Sequence, residues 1–285
     1  MLKEALNLDV FSYLIATEYL EKLYSSLKSN RKRYSYQQFS QDLGFQKSSY
    51  LFQILSGNRP LTEIAAKTIA ESIPLRKGQR KYFLALAKHG RVKSAKDRHE
   101  AFRDILEIRT KCLNTDADRQ MLQYFSDWYH SVIRELVCLP DFQPEPSWIA
   151  QKIQPPIKTE DAAHSFELLK KLDFIKFDKA RSCWIQTEVK ITSSTDVRKL
   201  GLMAYHHDMI QRAQDSLLGV PAQERKIEAL TFSVSEKEFL AIKDQLDVFV
   251  KKLIASYPQN DQFDRVAQLN IQLFPHTDIT EKKDH

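Results

Sequence analysis

Residues 36–73, YQQFSQDLGFQKSSYLFQILSGNRPLTEIAAKTIAESI, constrain the fold more than any other stretch, because glycines and capping residues divide an apolar pattern into three short helices. Tyr36, Phe39, Ser40 and Leu43 form a stripe at helical spacing, and Gly44 ends it where a left-handed residue is cheapest. A second helix is expected from about Lys47 to Ser56, with Leu51, Ile54 and Leu55 inward and Gly57 closing it. A third begins at Thr62 and Glu63, and Ile64, Ala65, Thr68 and Ile69 are its expected core face.

Two short helices joined by a Gly-containing turn, the second rich in polar residues, form the layout of a DNA-reading helix-turn-helix. The charge distribution points the same way. The 285-residue chain carries a net +6, but residues 1–111 hold 21 Lys+Arg against 11 Asp+Glu, and the remainder is net −4. A basic N-terminal third matches a polyanion; a mildly acidic remainder matches something else. An apolar helix over 11–28, the basic link SNRKRYS and a helix over 79–89 complete an expected five-helix bundle across residues 1–92.

Residues 93–117 read as a connecting helix. From 118 to 192 the pattern is an aromatic helix over 118–139, a short helix over 147–152, a helix over 159–172 and two β-rich pieces, DFIKF and CWIQT, around the turn DKARS. Helix, short helix, helix and hairpin is a winged-helix-like order. Residues 193–275 then offer a helix over 197–218, an alternating segment over 226–233, a long amphipathic helix over 235–256 and a second alternating segment over 264–274. That is a small α+β unit suited to regulation or dimerisation. Residues 276–285 are expected to be a disordered tail. The fold class is therefore mostly α with a smaller α+β part.

Several function classes are left without support. No run of about 18 apolar residues exists, so no membrane partner is expected, and the N-terminus lacks a secretory cleavage pattern. Cys112, Cys138 and Cys183 are odd in number and widely spaced, as reduced cytoplasmic thiols are. His206 and His207 are adjacent and diverge on a helix, and His130 lies in an aromatic helix where packing is the simpler role. No HExxH, GxSxG or phosphate-cradling glycine loop occurs, so neither enzyme activity, metal nor cofactor is expected.

The helix-turn-helix, WYHSVIREL, LLKKLDFIKF and VAQLNIQLFP fall in an order that resembles a bacterial family of transcriptional regulators. Its members join an N-terminal helix-turn-helix to a C-terminal domain of unknown function, and the likeness spans residues 9–275. Within it, SSYLFQILSG is similar to the recognition helix of the phage-repressor class, with Phe52 standing where that class carries a polar residue.

A recognition helix reads base edges with its N-terminal half. The candidates are Gln46, Lys47, Ser48, Ser49, Tyr50 and Gln53, with Asn58 and Arg59 on phosphates and Arg31, Lys32 and Arg33 adding non-specific affinity. In the winged-helix-like part, Glu160, Asp161 and Glu167 would repel phosphate, so packing or signalling suits it better. The expected function is a cytoplasmic, nucleoid-associated regulator that binds double-stranded DNA as a homodimer. Its C-terminal half would dimerise or meet an unknown effector or protein partner. The alternative is a non-enzymatic signalling adaptor with a degenerate helix-turn-helix, binding a protein or nucleotide.

Overall fold

Hydroxyl side chains mark where four of the helices begin. Ser35, Thr62, Ser94 and Thr115 each accept a hydrogen bond from the backbone amide three residues on, at 3.1–3.3 Å. Such caps satisfy donors that the helix cannot, worth ~1 kcal/mol each. The computed structural model describes residues 2, 7–187, 194–256 and 263–278. It resolves into two compact units, Met1–Asp127 with Lys190–Tyr205, and Trp128–Val189 with His206–His285.

The first unit contains α1 (Ala16–Asn30), α2 (Tyr36–Asp42), α3 (Ser48–Leu55), α4 (Glu63–Ser72) and α5 (Lys77–Arg91), followed by α6 (Ala95–Lys111) and α7 (Asp116–Ser126). Leu20, Leu23, Phe39, Leu51, Ile69 and Phe83 are among its buried core. The first helix starts later than its apolar pattern does. The Asp9 carboxylate accepts from the Phe11 amide and nucleates a 3-10 turn, and Ile15 is extended at φ −128°, so α1 opens only at Ala16. Ile64, expected in the core, is 80% exposed; Ala65, Ala66, Ile69 and Ala70 supply the inward face of α4 instead.

The second unit holds α8 (Tyr129–Leu136), α9 (Pro146–Lys152), α10 (Thr159–Lys171) and an antiparallel hairpin of β1 (Ile175–Asp178) and β2 (Cys183–Gln186). Ile175 pairs with Gln186 and Asp178 with Cys183. The Asp178 carboxylate accepts from the Ala180 and Arg181 amides, an Asx turn that closes the hairpin. Helix, short helix, helix and hairpin thus occur in the expected order. The single helix expected over 118–139 is two, because Asp127 takes extended backbone (φ −138°, ψ 131°) between α7 and α8.

A long helix, α11 (Thr195–Gly219), and α12 (Glu236–Ser256) follow. Among the described residues the protein is mostly helical with a small two-stranded antiparallel sheet, as mostly α with a smaller α+β part requires. That sheet lies at 175–186 and not in 193–275, the place expected for the α+β unit. The strands expected over 226–233 and 264–274 are not formed among the described residues. Neither stretch pairs along its backbone with another strand among the described residues, so no ladder holds it extended as a sheet. Of the expected disordered tail, residues 279–285 lie outside the described residues. No described helix is long and apolar enough to cross a membrane.

Candidate nucleic-acid interface

The geometry of the candidate surface is fixed by α2, α3 and α4. The turn between α2 and α3 passes through Gly44 at φ +87°, and the Gly44 amide donates to the Gln41 carbonyl while Phe45 donates to Ser40. The buried Ser40 hydroxyl donates to the Lys47 carbonyl at 3.1 Å and so ties the start of α3 to α2. Leu51, Ile54 and Leu55 anchor α3 in the core. One helical face is left outward, carrying Ser49, Phe52, the half-buried Gln53 and Ser56.

The sequence candidates fall on this surface unevenly. Gln46 and Lys47 are exposed immediately ahead of the helix, and Ser49 is exposed in its first turn. Ser48 opens α3, its side chain lying outside the described residues. Tyr50 turns inward: its hydroxyl lies 3.3 Å from Thr62 Oγ1 and its ring 5.4 Å from that of Phe45. It braces α3 against α4 more than it faces outward. After the helix, the Arg59 amide donates to the Gln53 carbonyl at 3.0 Å, and Asn58 Nδ2 donates to Ser56 Oγ at 2.9 Å. Those bonds fold the loop back onto the end of α3 with both side chains exposed.

The basic link behaves differently along its length. Arg31 reaches Asp42, the last residue of α2, at 3.6 Å and its guanidinium lies 5.3 Å from the Tyr34 ring centre. Tyr34 also donates to Asp42 at 2.7 Å. Arg31 therefore helps clamp α2, whereas Lys32 and Arg33 are exposed. Arg33 occupies the left-handed region at φ +67°.

Sequence reasoning underrated Phe52. It is 55% exposed on the outward face of α3, with its ring 6.0 Å from Tyr36. The signal was an apolar residue one step out of phase with Leu51, Ile54 and Leu55. A groove of about 520 Å³ lies elsewhere in the same unit, lined by α4, α5 and α6. Two of its charge pairs are closed, Lys67 with Glu63 at 2.8 Å and Lys88 with Asp104 at 2.7 Å.

In the second unit the most perturbed group is His130. It is 1% exposed, its Nδ1 sits 2.7 Å from the Ser165 hydroxyl, and burial pushes its pKa down to about 3. Ser165 is itself fully buried, so this pair is closed to any substrate and joins α8 to α10. On α10, Glu160 and Glu167 are exposed and Asp161 is half-buried, Glu167 bridging Lys170 at 2.7 Å.

Residues 96–275 match a family model described as a domain of unknown function, DUF4423. The chain belongs to the DUF4423 family. No curated protein and no solved structure matches it. The DUF4423 match begins at the second residue of α6 and runs past α12, so the helices that build the candidate interface lie outside it. DUF4423 carries a domain description and no activity, which leaves the chemistry of α3 to be argued from its own residues.

Proposed function

We propose that this protein is a sequence-specific, non-enzymatic DNA-binding regulator of transcription. It acts as a homodimer in the cytoplasm, at the nucleoid. The α2–turn–α3 pair serves as a helix-turn-helix, with α3 in the major groove. The observation that carries this reading is the outward face of a short helix whose other face is locked into a core. Exposed Gln46, Lys47 and Ser49 lie at its start, and exposed Asn58 and Arg59 beyond its end. Gln offers adenine a bidentate pair and Lys donates to guanine, each good contact contributing ~1–3 kcal/mol of discrimination. Asn58, Arg59, Lys32 and Arg33 are the phosphate ligands that fix register. The net charge of residues 1–111, +10 against −4 for the rest, supports the same orientation.

Selection of genomic fragments by the purified protein at about 150 mM salt tests the proposal. An enriched palindromic motif that is lost in a Lys47→Ala, Gln53→Ala double variant of unchanged fold supports it. Binding no better than to random DNA overturns it.

One observation favours a second reading, a signalling adaptor that uses this surface for a protein or nucleotide partner. Phe52, with Tyr36 beside it, places an apolar spot in the middle of the outward face. In that case the double variant keeps its partner, and neither protein enriches a motif.

A further inference from the structure

From Ile210 to Asp278, not one described residue is buried. The composition of this stretch is not that of a solvated tail. Fourteen of its large apolar residues are exposed, including Leu218 at 98%, Leu230 at 84%, Ile254 at 66% and Phe274 at 61%. Summed along the segment, they expose on the order of 1,000 Å² of apolar surface. A standard interface buries roughly 800 Å² per partner.

The exposed residues also carry secondary-structure periods. On α12, Phe239, Ile242, Leu246, Val250 and Leu253 recur at spacings of three and four and are half-buried. Phe249 and Ile254 flank that stripe on either side, 50% and 66% exposed. Residues 226–233 and 264–274 alternate as strands do. Yet no backbone hydrogen bond among the described residues involves 226–233, which leaves a row of ladder donors and acceptors for another strand.

We propose that this C-terminal segment is half of a folded unit and that a second copy of the chain completes it. Residues 226–233 and 264–274 of two chains pair as one intermolecular sheet, and the two α12 helices cover it. Two strands alone are marginal in water, whereas four strands under two helices form an ordinary two-layer α/β core. Self-association needs no difference in net charge between partners, and the segment carries almost none: residues 220–275 hold 7 Lys+Arg and 8 Asp+Glu. A near-neutral, apolar surface repeated on both copies is what a two-fold interface requires. This inference gives a physical basis to the homodimer proposed above and rests on that part of the reading.

The test is the mass of the full-length protein in solution by sedimentation equilibrium, from about 0.1 to about 50 µM, without DNA. The expected result is a species at twice 33.3 kDa. Leu230→Asp and Ile254→Asp alter side chains that are open in the single chain, so both variants should keep the wild-type helical circular dichroism and dissociate at least about 100-fold more readily. A monomer throughout the range overturns the proposal, whatever other protein the segment then binds; so does a dimer indifferent to both substitutions. Hydrogen exchange gives a reading without mutation. Amides in 226–233 should be protected in concentrated protein and lose protection on dilution, and concentration-independent exchange counts against the interface. Loss of DNA binding by an intact dimer would overturn the regulator reading alone.

Discussion

A Cβ placed on Gly44 would stand 2.9 Å from Cγ2 of Thr68, so the turn that aims α3 lies directly against α4. Gly44 is at φ +87°, where any other L-residue is strained. Gly44→Ala combines both faults and should lower stability by ~2–3 kcal/mol. Gly57, at φ +76° with nothing within 4 Å, has only the first, and Gly57→Ala should cost about 1 kcal/mol. Urea denaturation of the two variants side by side checks the difference.

The buried pair of His130 and Ser165 makes stability depend on pH. Its pKa falls from 6.5 in the open chain to about 3 in the fold. Between those values the unfolded state binds a proton that the folded state refuses. Stability is therefore complete above about pH 6.5 and declines as pH falls, by ~1.4 kcal/mol per unit, down to about pH 3. Equilibrium unfolding at about pH 7.5 and about pH 5 should show the loss, and His130→Asn should flatten the slope over that interval.

Gly201 lies on α11 against the Phe125 ring of α7, with a notional Cβ 2.7 Å from Cδ2 and 3.0 Å from Cβ of Phe125. Both atoms belong to a buried, rigid side chain. Gly201→Ala should destabilise the protein by ~1–3 kcal/mol despite better helix propensity, and Phe125→Leu should restore part of the loss. Thermal unfolding of the single and double variants measures it.

Phe52→Gln removes an exposed apolar side chain and should change stability by less than about 0.5 kcal/mol. Under the regulator reading it should change the selected DNA motif; under the adaptor reading it should weaken the protein partner. Arg59→Ala, a phosphate ligand under the first reading, should weaken binding to every sequence alike and lower the salt slope by about 1.

Much of the fold was legible because its signals are local. Thr62 and Ser94 announce helices through their own hydroxyls, and Gly44 and Gly57 end them through their own φ angles. The hairpin was legible because DKARS places an Asx turn between two β-rich pieces. What failed depended on distant neighbours. Ile64 is apolar and in phase, but nothing packs over that side of α4, so it stays exposed. The break at Asp127 leaves no mark in a continuous helical pattern. Alternation over 226–233 reports that a strand would suit those residues; it cannot supply the neighbouring strand. In the candidate interface, exposure of Lys47 and Gln46 followed from polarity, whereas the inward turn of Tyr50 needed the position of Thr62.

The first unit is discontinuous in the chain. Val197, Leu200 and Ala204 are buried in its core, the Ser12 hydroxyl donates to Asp196 at 2.7 Å, and the Ser194 amide donates to Asp118. During synthesis, the N-terminal helices emerge first but must wait, their core open at one side, while residues 128–189 leave the ribosome. A fragment cut after Asp127 would keep the candidate interface yet lack its last apolar wall. Isolating the N-terminal helices by truncation therefore yields a partly uncovered core, and residues 194–205 have to be carried along, by fusion or as a second peptide, for the unit to close.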